Sequence, residues 1–185
     1  IKTLASLCGT QEKNSGNMAV SDTMDVEKIT DKSDHCGKIT GIDGSGRGVD
    51  ADNADTVTEE NLAQHISNAK MLSKKLQTIV AITGAIDLVT DGSSCYVIRN
   101  GNPQMGHVTG AGCQLSGILT AFLAANPENK LQAAAAAVCM MGYAGELAAE
   151  KSGQSGSGTY RVSLMDAVSC MDGDILERGA RYEIR

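Results

Sequence analysis

The spacing of apolar positions changes several times along the chain, and each change marks an element. Leu62, Ile66, Ala69, Leu72 and Leu76 recur at helical intervals. Thr56 and Glu59 precede them in capping-box spacing, so the pattern predicts a helix over about residues 57–75. It leads into Thr78–Thr83 (TIVAIT), a short apolar run with the character of a buried parallel strand, closed by Gly84. Asp87–Thr90 and Cys95–Arg99 are short extended stretches joined by Asp91-Gly92-Ser93-Ser94, which is hairpin chemistry. Asn100–Pro103 reads as another turn, and Gln104–Thr109 as a further extended stretch. A helix opens at the Gly110–Gly112 turn and runs to about Ala125, where Asn126-Pro127 stops it. A second starts near Glu128 and continues through an alanine tract to about Lys151. Ser152–Thr159 is a glycine-rich flexible connection, Val162–Met171 a last helix, and Tyr182–Arg185 a ragged tail.

The first part of the chain has a different character. Residues 1–9 (IKTLASLCG) read as a short helix closed by Gly9. Residues 10–48 are rich in Ser, Asp, Gly, Asn and Lys with sparse apolar positions, as expected of a loop-like excursion. Within it Met24–Ile29 suits one helical turn and Gly41–Gly48 is turn-like. No internal repeat is evident.

Composition narrows the class. At 185 residues the chain has the length of one domain with a sizeable core. Aromatics are only 3% with no Trp, while Gly reaches 21 residues, so the core must be built from Ala, Val, Ile, Leu and Met with closely packed backbones. That suits an α/β protein better than a β-sandwich. A net charge of −6 and the lack of a basic block argue against nucleic acid as a partner. An anionic ligand is still compatible, because backbone N–H groups can hold it. Six cysteines without CxxC or regular spacing suit a reduced, cytoplasmic protein. The three His have no ligand-forming spacing, which argues against structural zinc. The longest uninterrupted apolar run, Ala133–Met141, is short of the ~20 residues a bilayer needs, so no membrane partner is expected. No secretory leader is expected, and Ile1 opens the chain without an initiating Met.

The chemistry concentrates in Val108-Thr109-Gly110-Ala111-Gly112-Cys113-Gln114-Leu115-Ser116-Gly117. Two glycines one residue apart let the backbone turn sharply and approach a ligand without a Cβ in the way. The helix that follows aims its unpaired first-turn N–H groups at that ligand, and its dipole favours a phosphate or a developing anion. Cys113 falls in the first turn, where the same dipole favours thiolate over thiol. A sulfur so placed can take a proton from an alcohol while neighbouring N–H groups hold phosphoryl oxygens. Phosphoryl transfer asks mainly for such positioning and charge stabilisation. On physics alone the stretch fits equally well two glycines that allow tight helix–strand packing beside a small buried cysteine.

This run resembles the anion-hole motif of the hydroxyethylthiazole kinases, a thiamine-salvage family in which the GAGD of ribokinase-like proteins becomes glycine–small–glycine–Cys. Other segments match in register: Val80–Asp87 (VAITGAID) is similar to the family's VVVTGEVD, Val89–Gly92 to its VTDG, and Gly46–Asp50 to its GRGVD. Gly156–Tyr160 (GSGTY) and Leu164–Val168 (LMDAV) are similar to its GPGSF…FLDAL region. The resemblance covers about residues 46–170, and several separated motifs seldom coincide by chance.

The resemblance implies a ribokinase-like three-layer αβα fold and ATP-dependent phosphorylation of 4-methyl-5-(2-hydroxyethyl)thiazole with Mg²⁺. It implies Cys113 as catalytic base, Gly110 as a backbone contact to the thiazole alcohol, and Gly110, Ala111, Gly112 and Cys113 as the anion hole. It also implies Thr83 as a nucleotide contact, with Gly158 and Thr159 nearby, and a cytoplasmic homotrimer with its substrate site between subunits. Two departures stand out. Ile1 falls just after the family's RGNASE stretch, so its early βα units, a substrate-contacting Met, an ATP-contacting Arg and the acidic residues associated with Mg²⁺ are not in this chain. The chain then reads as the C-terminal portion of one kinase domain, with metal ligands unassigned and residues 10–45 an insertion.

Other candidates have plainer explanations. His107 suits a solvated loop, Asp87 and Asp91 turn chemistry, Arg99 a solvated strand-end charge, and Met140–Met141 packing. The competing functions are a hydroxymethylpyrimidine or pyridoxal kinase, against which the Cys113 motif weighs, and a thiol-nucleophile enzyme with His107 as partner. A non-catalytic nucleotide-binding protein is the third.

Overall fold

A computed structural model describes residues 57–185. The helix expected at residues 1–9, the polar stretch at 10–48 with its insertion, the GRGVD segment and Thr56 lie outside the described residues.

Helix α1 spans Leu62–Leu76, later than the apolar pattern suggested. At its entry the Asn61 Oδ1 accepts the Thr58 N–H at 2.7 Å and makes no side-chain cap to the helix, while Glu59 reaches away to Arg99 at 2.8 Å. Strands β1 (Val80–Ile82), β2 (Asp87–Thr90) and β3 (Cys95–Ile98) follow. A 3-10 turn covers Pro103–His107, then come α2 (Ala111–Ala125), α3 (Lys130–Ser152), α4 (Ser157–Ser169) and α5 (Gly173–Gly179). Strand β4 (Tyr182–Ile184) closes the sheet.

The four strands lie in the order β1-β2-β3-β4, each antiparallel to its neighbour. All positions of β2 and β3 are buried, because helices cover both faces. Leu88, Cys95 and Val97 face α1 through Leu62 and Ile66. Val89, Tyr96 and Ile98 face the other way, onto the alanines of α3. The strand period of two therefore sorts the hairpin's side chains between two cores. The result is a three-layer α/β arrangement: α1, the sheet, and the α2–α5 group built round α3.

α3 is the central element, packing on β2, β3, α2, α4 and α5. Its run Ala133–Ala137 is almost wholly buried, since side chains this small let neighbouring backbones approach closely. By length and composition it is the one helix among the described residues able to cross a membrane, and most of that apolar window is buried inside the fold.

Several expectations need correction. Thr78–Thr83 does not form a buried parallel strand: β1 runs antiparallel to β2 and is half-exposed at the edge of the described sheet. Gln104–Thr109 is not extended, because Pro103 starts a 3-10 turn capped by Asn102, whose side chain accepts the Gln104 N–H at 3.0 Å. The glycine-rich stretch ends early, since α4 already begins at Ser157. The tail is not ragged: Tyr182–Ile184 pairs with Tyr96–Ile98.

Candidate functional site

Three chain segments and the middle of α3 enclose a cavity of about 580 Å³. One wall is the turn after β1, Thr83–Ala85, with Asp87 at the head of β2. A second is the segment after β3, from Asn100 to Gly106. The N-terminal turn of α2 supplies Ala111 and Gly112, and α3 closes the back with Val138, Met141 and Gly142.

The α2 end is made by the glycines. Gly110 is the N-cap residue with φ +93°, a left-handed conformation that glycine alone adopts without steric cost. The Ala111 N–H bonds the Val108 carbonyl at 3.2 Å and the Gln114 N–H bonds that of Gly110 at 3.0 Å. Between them, the N–H groups of Gly112 and Cys113 have no partner among the described residues. Two unpaired donors at the positive end of a helix face toward any anion that settles there.

The segment after β3 is held by a polar cluster. Asn100 is 4% exposed and fully engaged: Nδ2 donates to Glu146 Oε1 at 3.0 Å and to the Gly179 carbonyl at 2.9 Å. Its Oδ1 accepts from the Arg181 N–H at 2.7 Å and from the Cys139 thiol at 3.2 Å. Glu146 also takes the Gly101 N–H at 2.8 Å and pairs with Arg181 at 2.8 Å. Burial pushes the Cys139 thiol up to about 12, so it stays protonated as a donor to Asn100.

Gly142 marks the closest approach of α3 to this segment. A Cβ there would lie 2.6 Å from the Asn100 carbonyl oxygen. Gly142→Ala is therefore expected to shift the Asn100 backbone and to destabilise the protein by about 1–3 kcal/mol, read as a lower urea midpoint at unchanged slope. An unchanged midpoint would show that the segment moves aside freely.

The residues singled out by the sequence fall into two groups. Thr83, Ala111 and Gly112 line the cavity together. Gly110 and Cys113 sit at the same helix end, exposed, and outside the cavity wall. Gly158 and Thr159 are exposed in the first turn of α4 and His107 is exposed at the end of the 3-10 turn; none of the three lines the cavity. Arg99 is no free strand-end charge, since it bonds Glu59 at 2.8 Å and Glu183 at 2.9 Å. Cys95, Cys113, Cys139 and Cys170 are all free thiols.

Asp91 serves its turn as expected, accepting the Ser93 and Ser94 N–H groups at 2.8 and 2.9 Å. Asp87 also serves a turn, accepting the Gly84 N–H at 2.8 Å from the head of β2, but it does more. It opens β2, is 8% exposed, and is the one ionisable side chain in the cavity wall among the described residues. Burial raises its carboxyl to about 7, against the opposing pull of the Gly84 N–H, which donates to Oδ1 at 2.8 Å. The signal for it was available in the alternation of Asp87 with Val89, which puts both on the α3 face of a doubly covered strand.

Comparison with known proteins gives three concordant matches. The model of the hydroxyethylthiazole kinase family matches residues 8–174. A hydroxyethylthiazole kinase of Clostridium acetobutylicum is 46% identical over 141 residues, 76% of this chain and 52% of that protein. One of Ruminiclostridium cellulolyticum is 32% identical over 169 residues, 91% of this chain and 60% of that protein. The solved structure of a hydroxyethylthiazole kinase protein from Pyrococcus horikoshii superposes with a TM-score of 0.62 at 28% identity, over 68% of this chain and 48% of that one. That likeness bears out the ribokinase-like αβα class. The chain spans about half the length of the curated relatives it matches.

Proposed function

The chain belongs to the hydroxyethylthiazole kinase family, and from that premise we propose that the protein transfers the γ-phosphoryl group of ATP to the hydroxyl of 4-methyl-5-(2-hydroxyethyl)thiazole. The single observation that carries the reading is the Gly110–Cys113 turn, which opens α2 with two unpaired N–H groups beside a cavity walled by Thr83.

In this reading the Gly112 and Cys113 N–H groups hold the phosphoryl oxygens, whose charge the helix end offsets. The Cys113 sulfur takes the hydroxyl proton. The alcohol oxygen then bonds to the γ-phosphorus, the bond from that phosphorus to its bridging oxygen breaks, and ADP leaves. Gly110 gives the alcohol a backbone contact free of any Cβ, and open space around it supports that role. Thr83, in the wall after β1, meets the nucleotide. Exposure of Cys113 and Gly110 outside the cavity agrees with a site completed by another surface, as between subunits of a cytoplasmic homotrimer.

Mg²⁺ belongs to the reading through the chemistry of phosphoryl transfer, where it would offset the charge of the transferring phosphates. Among the described residues no three His, Cys, Asp or Glu side chains gather to hold a metal, and Asp87 is the one carboxylate in the cavity wall. The described residues do not supply a Mg²⁺ site on their own; what they supply is positioning.

The test is direct. Full-length protein is incubated with ATP, Mg²⁺ and the thiazole alcohol, and the phosphate ester is sought by mass spectrometry beside coupled ADP release. Thiazole-dependent ADP and the ester support the reading. ADP release that answers to a hydroxymethylpyrimidine alone transfers the activity to the related pyrimidine kinases.

A further inference from the structure

The turn from Thr83 to Ala85 forms one wall of the cavity, yet all three of its residues are exposed. Packing therefore does little to fix its shape. β1 and β2 stop pairing at Ile82 and Leu88, so the sheet ladder leaves the turn free as well. Among the described residues one side chain holds it: Asp87, through the 2.8 Å bond from the Gly84 N–H to Oδ1.

Asp87 is costly at this place. Its neighbour on the same face, Val89, joins the apolar core against α3, and an apolar residue at position 87 would avoid burying a carboxyl. No side-chain donor pairs with Asp87 among the described residues, so an ion pair does not account for its burial. What it gains is a hydrogen bond to one backbone amide in the wall of the cavity, charge-assisted once the carboxyl ionises above about pH 7.

We propose that Asp87 is a positioning residue for the nucleotide: by holding the Gly84 N–H it sets the Thr83–Ala85 turn in the shape that a phosphate-bearing ligand meets. This rests on the kinase reading for the identity of that ligand, and deepens it by naming the side chain that organises the Thr83–Ala85 wall. Asp87 acts through the backbone of Gly84 and transfers no proton to or from the reacting groups.

The experiment uses full-length protein with Asp87→Ala, Asp87→Asn, Thr83→Ala and the Thr83/Asp87 double alanine variant. Steady-state kinetics give KM for ATP and kcat, and hydrogen exchange gives the protection of the Gly84 amide. At about pH 8, where the carboxyl is ionised, Asp87→Ala is expected to raise KM for ATP by roughly 10- to 100-fold, the loss typical of a hydrogen bond to a charged group, with a smaller fall in kcat. Asp87→Asn keeps an oxygen acceptor and is expected to return KM to within a few-fold of wild type. The double variant is expected to lose less than the sum of its single changes in log KM, because both act on one turn. Gly84 exchange should quicken in Asp87→Ala and stay slow in Asp87→Asn. The proposal is overturned by a folded Asp87→Ala with unchanged KM, by strict additivity with Thr83→Ala, or by a Gly84 amide that stays protected in Asp87→Ala. A wild type that makes no ADP with the thiazole alcohol sinks the kinase reading instead, and the Gly84 exchange still decides whether Asp87 holds the turn.

Discussion

Cys113→Ala is expected to lower kcat for thiazole phosphorylation by about 10²–10⁴-fold, the usual worth of a well-placed general base, while KM for ATP changes little. The argument begins with the helix end. Gly110 in its left-handed conformation turns the chain so that Cys113 falls in the first turn of α2, exposed, its own N–H and that of Gly112 without a partner among the described residues. On the proposed reading, removing the sulfur leaves those donors in place, so phosphate binding is expected to persist while proton removal from the alcohol is lost. Cys113→Asp restores a base at the same helix end and is expected to recover much of the rate. A thiol acting as nucleophile predicts otherwise: a covalent adduct on Cys113 visible by intact mass, and no rescue by Asp. Equal kcat in wild type and Cys113→Ala would falsify the assignment of the base.

Asp87→Asn is expected to make the protein less sensitive to rising pH. Burial lifts the folded carboxyl to about 7, well above its ordinary value, so between about pH 4 and pH 7 the folded state binds a proton that the unfolded state releases. The stability from this group is fully present below the unfolded value and lost as pH rises through about 7. Wild type therefore weakens relative to Asp87→Asn across that window, by at most about 4 kcal/mol. Other titrating groups cancel in the comparison. Hydrogen bonds from Arg99 hold Glu59 and Glu183 below the usual carboxylate range in both proteins. The Cys139 thiol, which feels the Asp87 charge from α3, is pushed up to about 12 and stays neutral throughout. Urea unfolding at pH 4 and pH 8 measures the difference, and a gap that does not move with pH would mean that Asp87 is solvated in the folded state.

The parts of the fold legible in the sequence are those fixed by local chemistry. The hairpin from Asp87 to Ile98 was readable because Gly92 and Asp91 supply its turn while the flanking runs are apolar. α2 and α3 were readable because Gly110 and Asn126-Pro127 punctuate long helical patterns. What escaped depends on distant partners. Strand β4 is three residues long and exists because β3 offers an edge to it. The short helix α5 rests on the Asp172 cap to the Ile175 N–H and on Leu176, buried under α3.

The candidate site shows the same division. The glycine–Cys motif announces itself in four consecutive residues, because steric freedom and a helix start are local properties. The turn role of Asp87 is legible because the Gly84 amide it accepts lies three residues away, whereas its burial is not, because α3 and the segment after β3 reach it only in the folded chain. Arg99 was misjudged for a similar reason: its partners Glu59 and Glu183 lie far away along the chain.

Strand β4 also bears on how the chain is made. The Cys95 N–H bonds the Arg185 carbonyl at 2.8 Å, and the Arg185 N–H returns a bond to Cys95 at 2.8 Å, so the sheet's last ladder joins segments synthesised far apart. The hairpin and α3 can leave the ribosome and begin to collapse, yet β3 keeps a bare edge until residues 182–185 emerge. A nascent chain stalled or cut before Tyr182 would carry that sticky border into the cell, an invitation to chaperones or to neighbouring chains.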